Sequence, residues 1–533
     1  MKKHLTIFLS SFRVFPIARK NFWRIGFGML YMLCCLANFS VWAQLEKVNE
    51  VEYIKDYGKT KDWSVIPLKE KGALVVFDNA EIFGRNSQWE FYRIDSTLKE
   101  QWNVKYTPPA RMENLLTYSN ADYMYFLFAE TDADDVVITR VNLNLGEIDE
   151  FKGKLVGLRT ISHFKVLGNT AYFAGTYFDK PVVISFAFFN ATTKVLSGIY
   201  DKNVTINSLE IDETRNEVNV IINERRKGIC SLSVLSYSYM GDLLRTNQVP
   251  LADHKNVNFV SGRLLSVSEQ ETILVGNFST NCSNYSKGLY LTHFENGEQT
   301  GTTMIDFSEL SNFFGYLSPK RQQKLKEKIV RKKNEGKDTN FSYLLQVHDL
   351  IKTEKGALVL AEVYYYSPNN SNTLGMYNYA PVSIAQIQRM RARAGRYRYT
   401  HAIVCEFAKD GKVLWDDAVS LGSLEGSGLA EQVQISKYKG DWITTYLEKG
   451  KLNIQNLHNG KGASDKELFE IKSDVENRRV DEEAEVAAWY DKYFLIWGTR
   501  QVPSRGENTT GSEVLYIRKM SYSPQQSSPT SQK

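Results

Sequence analysis

One pattern constrains this chain more than any other. A short hydrophobic strand, a tight turn, a strongly apolar strand, a third strand and a polar Gly- or Asn-bearing turn recur along most of its length. Units start near residues 63, 113, 159, 205, 258, 343, 431 and 484. The ordinary spacing of about 45–53 residues is that of propeller blades, each one a small sheet that buries its faces only against its neighbours. Strand composition supports this: Tyr123-Met124-Tyr125-Phe126-Leu127-Phe128 and Tyr493-Phe494-Leu495-Ile496-Trp497 are aromatic and β-branched runs suited to a pleated, half-buried surface. The Asn296-Gly297, Asp410-Gly411 and Asn459-Gly460 pairs read as hairpin turns between the third and outermost strands, because both central residues of a type I′ turn need positive φ.

The expected fold class is therefore all-β, a β-propeller of seven or eight four-stranded blades with two helical, basic insertions. The last unit, ending at Val514-Leu515-Tyr516-Ile517-Arg518, lacks an outer strand, and Val51-Glu52-Tyr53-Ile54-Lys55 can supply it and close the ring. Closure matters because an open ring exposes sheet edge. The alternative arrangement is a pair of β-sandwiches or an open solenoid.

The segment Ala402-Ile403-Val404-Cys405-Glu406-Phe407-Ala408-Lys409-Asp410-Gly411-Lys412-Val413-Leu414-Trp415, with the repeat around it, resembles the exported β-propeller-like envelope proteins of the Bacteroidota. The resemblance implies fold and envelope location, and no activity. Gly-His and Trp-Asp pairs of the WD40 kind do not recur, and Asp410-Gly411 followed by Trp415 is a fragment of a sialidase-type box.

Residues 1–43 hold six cations, Lys2, Lys3, Arg13, Arg19, Lys20 and Arg24, with no Asp or Glu. An apolar run from Ile25 to Leu36 follows, and the segment closes on Val41-Trp42-Ala43. That order is a removable export signal, and the run is shorter than the ~20 residues that span a bilayer. Removing it leaves 60 basic against 61 acidic residues, so the whole chain's +5 belongs to the leader and is not a nucleic-acid signature. The expected domains are a signal peptide at 1–43, a propeller at 44–522 and a disordered tail at 523–533. The expected location is periplasmic or outer-membrane-associated rather than extracellular, with no transmembrane segment in the mature chain. Cys230, Cys282 and Cys405 remain, and their spacing allows one disulfide without selecting the pair.

Two segments break the β rhythm. Residues 308–340 contain a helix start at Ser318-Pro319, an N-cap hydroxyl followed by proline at the first helical position. The helix would run to about Asn334 with Leu325 and Ile329 inward, and from Ser318 to Asp338 the chain carries nine cations against three acids. Residues 367–399 begin Asn/Tyr-rich, then suggest a helix from Ser383, and end with five arginines and no acid over residues 389–398. The first segment leaves an outer strand and the second joins a second strand to a third, so antiparallel alternation sends both to the same face. The expected partner-binding residues are Lys320, Arg321, Lys324, Lys328, Arg331, Arg389, Arg391, Arg393, Arg396 and Tyr397. Arg forks suit carboxylate or phosphate and stack on rings.

Catalytic patterns are not evident. The histidines form no HExxH or HxH, Gly422-Ser423-Leu424-Glu425-Gly426 lacks the nucleophile-elbow spacing, and Asp132-Ala133-Asp134-Asp135 lacks the glycine and distal Glu of a calcium loop. No metal, cofactor or nucleic acid is expected. The reading is a non-enzymatic envelope scaffold binding an envelope protein, such as an outer-membrane assembly or secretion complex, through the insert-bearing face. The alternative is a glycan-binding or glycan-cleaving propeller using its central funnel, with carboxylates drawn from separate blades.

Overall fold

The computed structural model describes residues 44–54, 60–80, 87–130, 134–249, 257–337, 339, 341–367, 396–426, 429–457, 459–460, 466–471, 484–502 and 512–523. The chain divides into two units, Leu45–Ser521 and a second made of residues 1–44 and 522–533, nearly all of which lies outside the described residues. The export-signal and tail readings therefore fall outside them, as do the Ser383 helix and Arg389, Arg391 and Arg393.

The larger unit is built from eight antiparallel sheets. Sheet 1 comprises Thr60–Pro67, Ala73–Ala80, Ser87–Ile94 and Glu100–Tyr106. The first strands of sheets 2 to 8 begin at Glu113, Arg159, Val204, Asn258, Tyr343, Gln434 and Glu485. These starts lie within three residues of those read from the repeat. Seven sheets have four strands; sheet 6 adds the short pieces Tyr285–Ser286 and Ile351–Lys352.

Each sheet buries its faces against the next. Val137 and Phe128 of sheet 2 share a core with Leu74 and Phe91 of sheet 1, and Phe186 of sheet 3 shares one with Leu127. The series returns on itself: Trp489, Leu495, Trp497 and Ile517 of sheet 8 pack with Val75, Phe77 and Ile94 of sheet 1. Gln44–Ile54 hydrogen-bonds to Ser512–Ser523 as the outer strand of sheet 8. Glu50 on that strand meets Arg500 at 2.6 Å and Arg518 at 2.7 Å, all three nearly buried, and Glu52 pairs with Arg500 as well. The circular packing and the borrowed strand make this unit an eight-bladed β-propeller and rule out paired sandwiches or an open solenoid.

In each of sheets 1 to 5, the pairing of the first strand with the second slips once near the start of the first strand, as between Asn114 and Leu116 or Phe259 and Ser261. Such bulges sharpen local twist and bend the strand that carries them. The expected type I′ turns divide. Asn296-Gly297 and Asn459-Gly460 have positive φ at both positions, whereas at Asp410-Gly411 only the glycine does (φ 87°). There the register shifts between Glu406 and Phe407, so a longer turn closes on a bulge. Cys230 and Cys282 are disulfide-bonded, with Cα atoms 5.3 Å apart, tying sheet 4 to the loop before the third strand of sheet 5. Cys405 is buried and free.

Candidate functional site: a basic helix seated between two sheets

The connection from sheet 5 to sheet 6 does not cross directly. Phe307, Leu310, Phe313 and Phe314 enter the gap and share a core with Val359, Ala361, Ile403 and Phe407. Phe307 stacks on Phe313 at 4.4 Å, and Tyr316 lies flat on His401 at 3.8 Å. The backbone is pinned where Asp416 of sheet 6 accepts the amides of Ser311 (2.9 Å) and Asn312 (2.6 Å), while Asn312 Nδ2 donates to the Asp416 carbonyl. Burial raises the Asp416 pKa, and those amides act against the rise.

Helix α1 follows at Pro319–Asn334. Ser318 occupies the N-cap with proline next to it, but its hydroxyl makes no capping bond. Gln322 Nε2 instead donates to the Leu317 carbonyl at 2.7 Å, closing the turn ahead of the helix. Gly336, at φ 65°, ends the helix: its amide reaches the Lys333 carbonyl and that of Lys337 reaches Lys332, a Schellman closure. Arg331, Lys332 and Lys333 in the last turn face the negative end of the helix dipole.

Ile329 is buried in the sheet 5–6 core and Leu325 packs against it, so one side of α1 is fixed. The other side is charged. Lys320, Arg321, Lys324, Lys328 and Arg331 are all exposed, and among the described residues none of them forms an ion pair. An open groove of about 780 Å³ runs along an adjoining flank of the helix, lined by Gln322, Gln323, Lys326, Glu327, Val330 and Glu335 among others, and of the five cations only Arg331 borders it.

The strands of sheet 6 are long: Gly356–Ser367, Arg396–Ala408 and Val413–Gly426. Arg396 is the first residue of the third strand, and its side chain lies outside what is described. Tyr397 is half-buried, with its ring 5.8 Å from Tyr364 and 5.3 Å from Tyr366. Arg398 pairs with Glu425 at 2.7 Å. Tyr366, exposed, shares the face of Tyr364 and Tyr397, and Tyr365, also exposed, lies on the other face opposite Arg398; neither was singled out from the sequence. The Tyr364-Tyr365-Tyr366 run was the available signal. The gap between residues 367 and 396 opens at the strand ends where α1's connection also leaves and returns, as antiparallel alternation requires.

A second constellation gathers on the first strands of sheets 4 and 5, the second strand of sheet 6 and the loops beside them. Arg263 lies 3.4 Å from Glu210 and 3.5 Å from Asp349, and His348 lies 3.0 Å from Glu362 and 3.7 Å from Glu431. Glu362 Oε1 also accepts the amides of Gln432 and Val433, bracing sheet 6 against the start of sheet 7. Burial raises the pKa values of Glu210 and Glu431, opposed by Arg263 and by His348 respectively. His163 is pushed down to about 4 by burial and His401 to about 3, so both are neutral near pH 7. These residues come from separate sheets, and only the fold brings them together. His293 meets Thr300 at 2.6 Å, and Asp134 accepts the Gly157 amide at 2.9 Å as a loop tie. His254, His458 and Asp132 lie outside the described residues. Among the described residues there is no group of three metal-ligating side chains, and no helix is long and apolar enough to cross a membrane.

No family model matches the chain, and no curated protein does. Among solved structures it is similar to the polysaccharide lyase Uly1, at 9% identity and TM-score 0.37, over 86% of this chain and 99% of that one. It is also similar to the Dos1 propeller, at 9% identity and TM-score 0.39, over 89% and 95%. The Synechocystis apocarotenoid oxygenase aligns at 10% identity and TM-score 0.29, over 46% of this chain and 62% of its own.

Proposed function

We propose that this protein is an exported, non-enzymatic interaction module of the cell envelope that docks an acidic envelope protein onto α1 and the neighbouring tyrosine-bearing strands of sheet 6. The observation that carries this reading is the row of exposed cations without ion-pair partners among the described residues, on a helix whose opposite side is built into the core. A rigid scaffold presenting a charged surface is a common design for recognition. The Cys230–Cys282 disulfide supports an oxidising compartment, as does the basic, apolar and small-residue order of residues 1–43. A partner such as an outer-membrane assembly or secretion complex fits that compartment.

The competing reading is a glycan-binding or glycan-cleaving propeller using carboxylates drawn from separate sheets, such as Glu210, Glu362 and Glu431. Those carboxylates are engaged with Arg263, His348 and backbone amides, which supports a structural use.

The test is a crosslinked pull-down from envelopes. Wild type is compared with a variant carrying Lys320→Glu, Arg321→Glu, Lys324→Glu, Lys328→Glu and Arg331→Glu, and with a deletion of residues 383–398. Loss of a partner that wild type recovers is expected, and recovery should fall as salt rises. An unchanged partner set for both variants refutes the docking reading. Hydrolysis of a glycan by the purified chain refutes the non-enzymatic one.

A further inference from the structure

A cleft of about 160 Å³ lies between sheets 1 and 2, well away in sequence from α1. Its walls follow from strand register. Asp78 is opposite both Asp62 and Trp89, and Val76 is opposite Ser64 and Phe91, so these residues share the face of sheet 1 that turns toward sheet 2. Across the gap, Asn114 is opposite Phe128 and Thr117 opposite Phe126. Trp89 packs its ring 5.4 Å from Phe126 and 5.0 Å from Phe128. The result is an aromatic slot with a polar rim.

The rim has a sign. Asp62, Asp78 and Glu113 line the cleft, and among the described residues no Lys, Arg or His lines it. Asp62 accepts the Trp63 amide and has further partners of its own. Asp78 accepts the Ser87 hydroxyl on one carboxylate oxygen. Asn114 presents a buried Oδ1 with no hydrogen-bond partner, and a buried acceptor left without a donor carries a desolvation cost that a bound donor would remove.

We propose that this cleft binds a small organic ammonium ion, a primary amine on an apolar stem. The ammonium donates to Asp78 and to Asn114 Oδ1, and the stem lies against Ile66 and Met112, the half-buried apolar side chains of the lining beside Trp89. The cleft is smaller than the ~300 Å³ at which drug-sized pockets begin, which suits a ligand of fragment size. A sugar is the poorer fit: Trp89 is only 7% exposed with Phe126 and Phe128 against it, leaving little open face for stacking.

The test is isothermal titration of the disulfide-intact chain with phenethylamine and with its neutral counterpart 2-phenylethanol. Saturable binding of the amine is expected, with the alcohol at least about tenfold weaker. Asp78→Asn and Asn114→Leu should each weaken amine binding by about tenfold or more while the free protein melts normally. If Asp78→Asn fails to fold, Asn114→Leu alone decides. Equal binding of the alcohol, no saturable amine binding, or full affinity in a folded Asn114→Leu variant overturns the proposal. So does saturable binding of glucuronate in place of the amine. Glutamate substitutions on α1 leave this readout unchanged, so its failure is distinguishable from failure of the docking reading.

Discussion

Replacing Glu50 with alanine should open the ring at its seam. Glu50 is 12% exposed and sits between Arg500 and Arg518, whose side chains are 3% and 5% exposed. Removing one member of a buried ion pair costs about 3–5 kcal/mol, because the remaining charge keeps its desolvation penalty. Arg500 retains Glu52, which places the expected loss at the lower end, about 3 kcal/mol. A domain of 150–250 residues loses about 2–4 °C of Tm per kcal/mol, and a larger unit somewhat less, so a fall of roughly 3–6 °C is expected. Glu50 also predicts the pH dependence. Burial alone would raise its pKa, but Arg518 and Arg500 outweigh burial and hold it below the usual carboxylate value of 4.5. A depressed carboxylate contributes stability above its unfolded pKa and loses it as pH falls through the folded one. The gap between wild type and Glu50→Gln should therefore be full at pH 7 and close progressively below about pH 4.5. The assay pairs thermal melts across pH with amide exchange of Ser512–Ser523, which should lose protection before the other sheets do. An unchanged melting temperature, or a gap that stays constant into acid, refutes the reasoning.

Other outcomes follow from the same structure. Cys230→Ser removes a disulfide that closes 52 residues of chain, worth about 4 kcal/mol in the loop-entropy picture, and should abolish any sensitivity of the wild-type melt to reductant. Trp415→Phe deletes the donor to Glu406, a 2.6 Å bond to a buried carboxylate, and should cost about 1.5–3 kcal/mol by chemical denaturation. Ile329→Ala should cost about 2–4 kcal/mol, seen as faster amide exchange along α1 more than as a change in the global melt. Glu362→Leu removes the acceptor of the Gln432 and Val433 amides and should lower the melting temperature, whereas Glu362→Gln retains an acceptor and should be much milder.

The architecture was largely legible because propeller strands are local in sequence. Each sheet forms from consecutive segments, so the apolar rhythm gives the start of every first strand to within three residues, and the unpaired last sheet pointed to the strand containing Val51 and Tyr53. The contacts that define sites were not legible. Glu50 and Arg518 are 468 residues apart, His348 and Glu431 belong to different sheets, and Cys230 could have met either of two cysteines. Sequence patterning specifies which face of a strand is buried, but not what stands across the gap. The Asp410-Gly411 turn shows a finer limit: a bulge at Glu406/Phe407 lets the chain turn with a single positive φ, which the dipeptide alone does not reveal. The Ser318 hydroxyl makes no cap, because the Arg321 amide that a cap would accept bonds the Ser318 carbonyl instead.

The seating of α1 has a mechanical consequence. Most surface helices on a propeller could peel away without disturbing the sheets beneath. Here the stem is held at two distinct points, the Asp416 anchor on Ser311 and Asn312 and the buried side chain of Ile329. Between them lies an aromatic wedge that is itself part of the packing of sheets 5 and 6. Any load applied to the helix is therefore carried into the body of the ring rather than taken up by a slack tether. The surface behaves as a handle, stiff enough to transmit force and orientation.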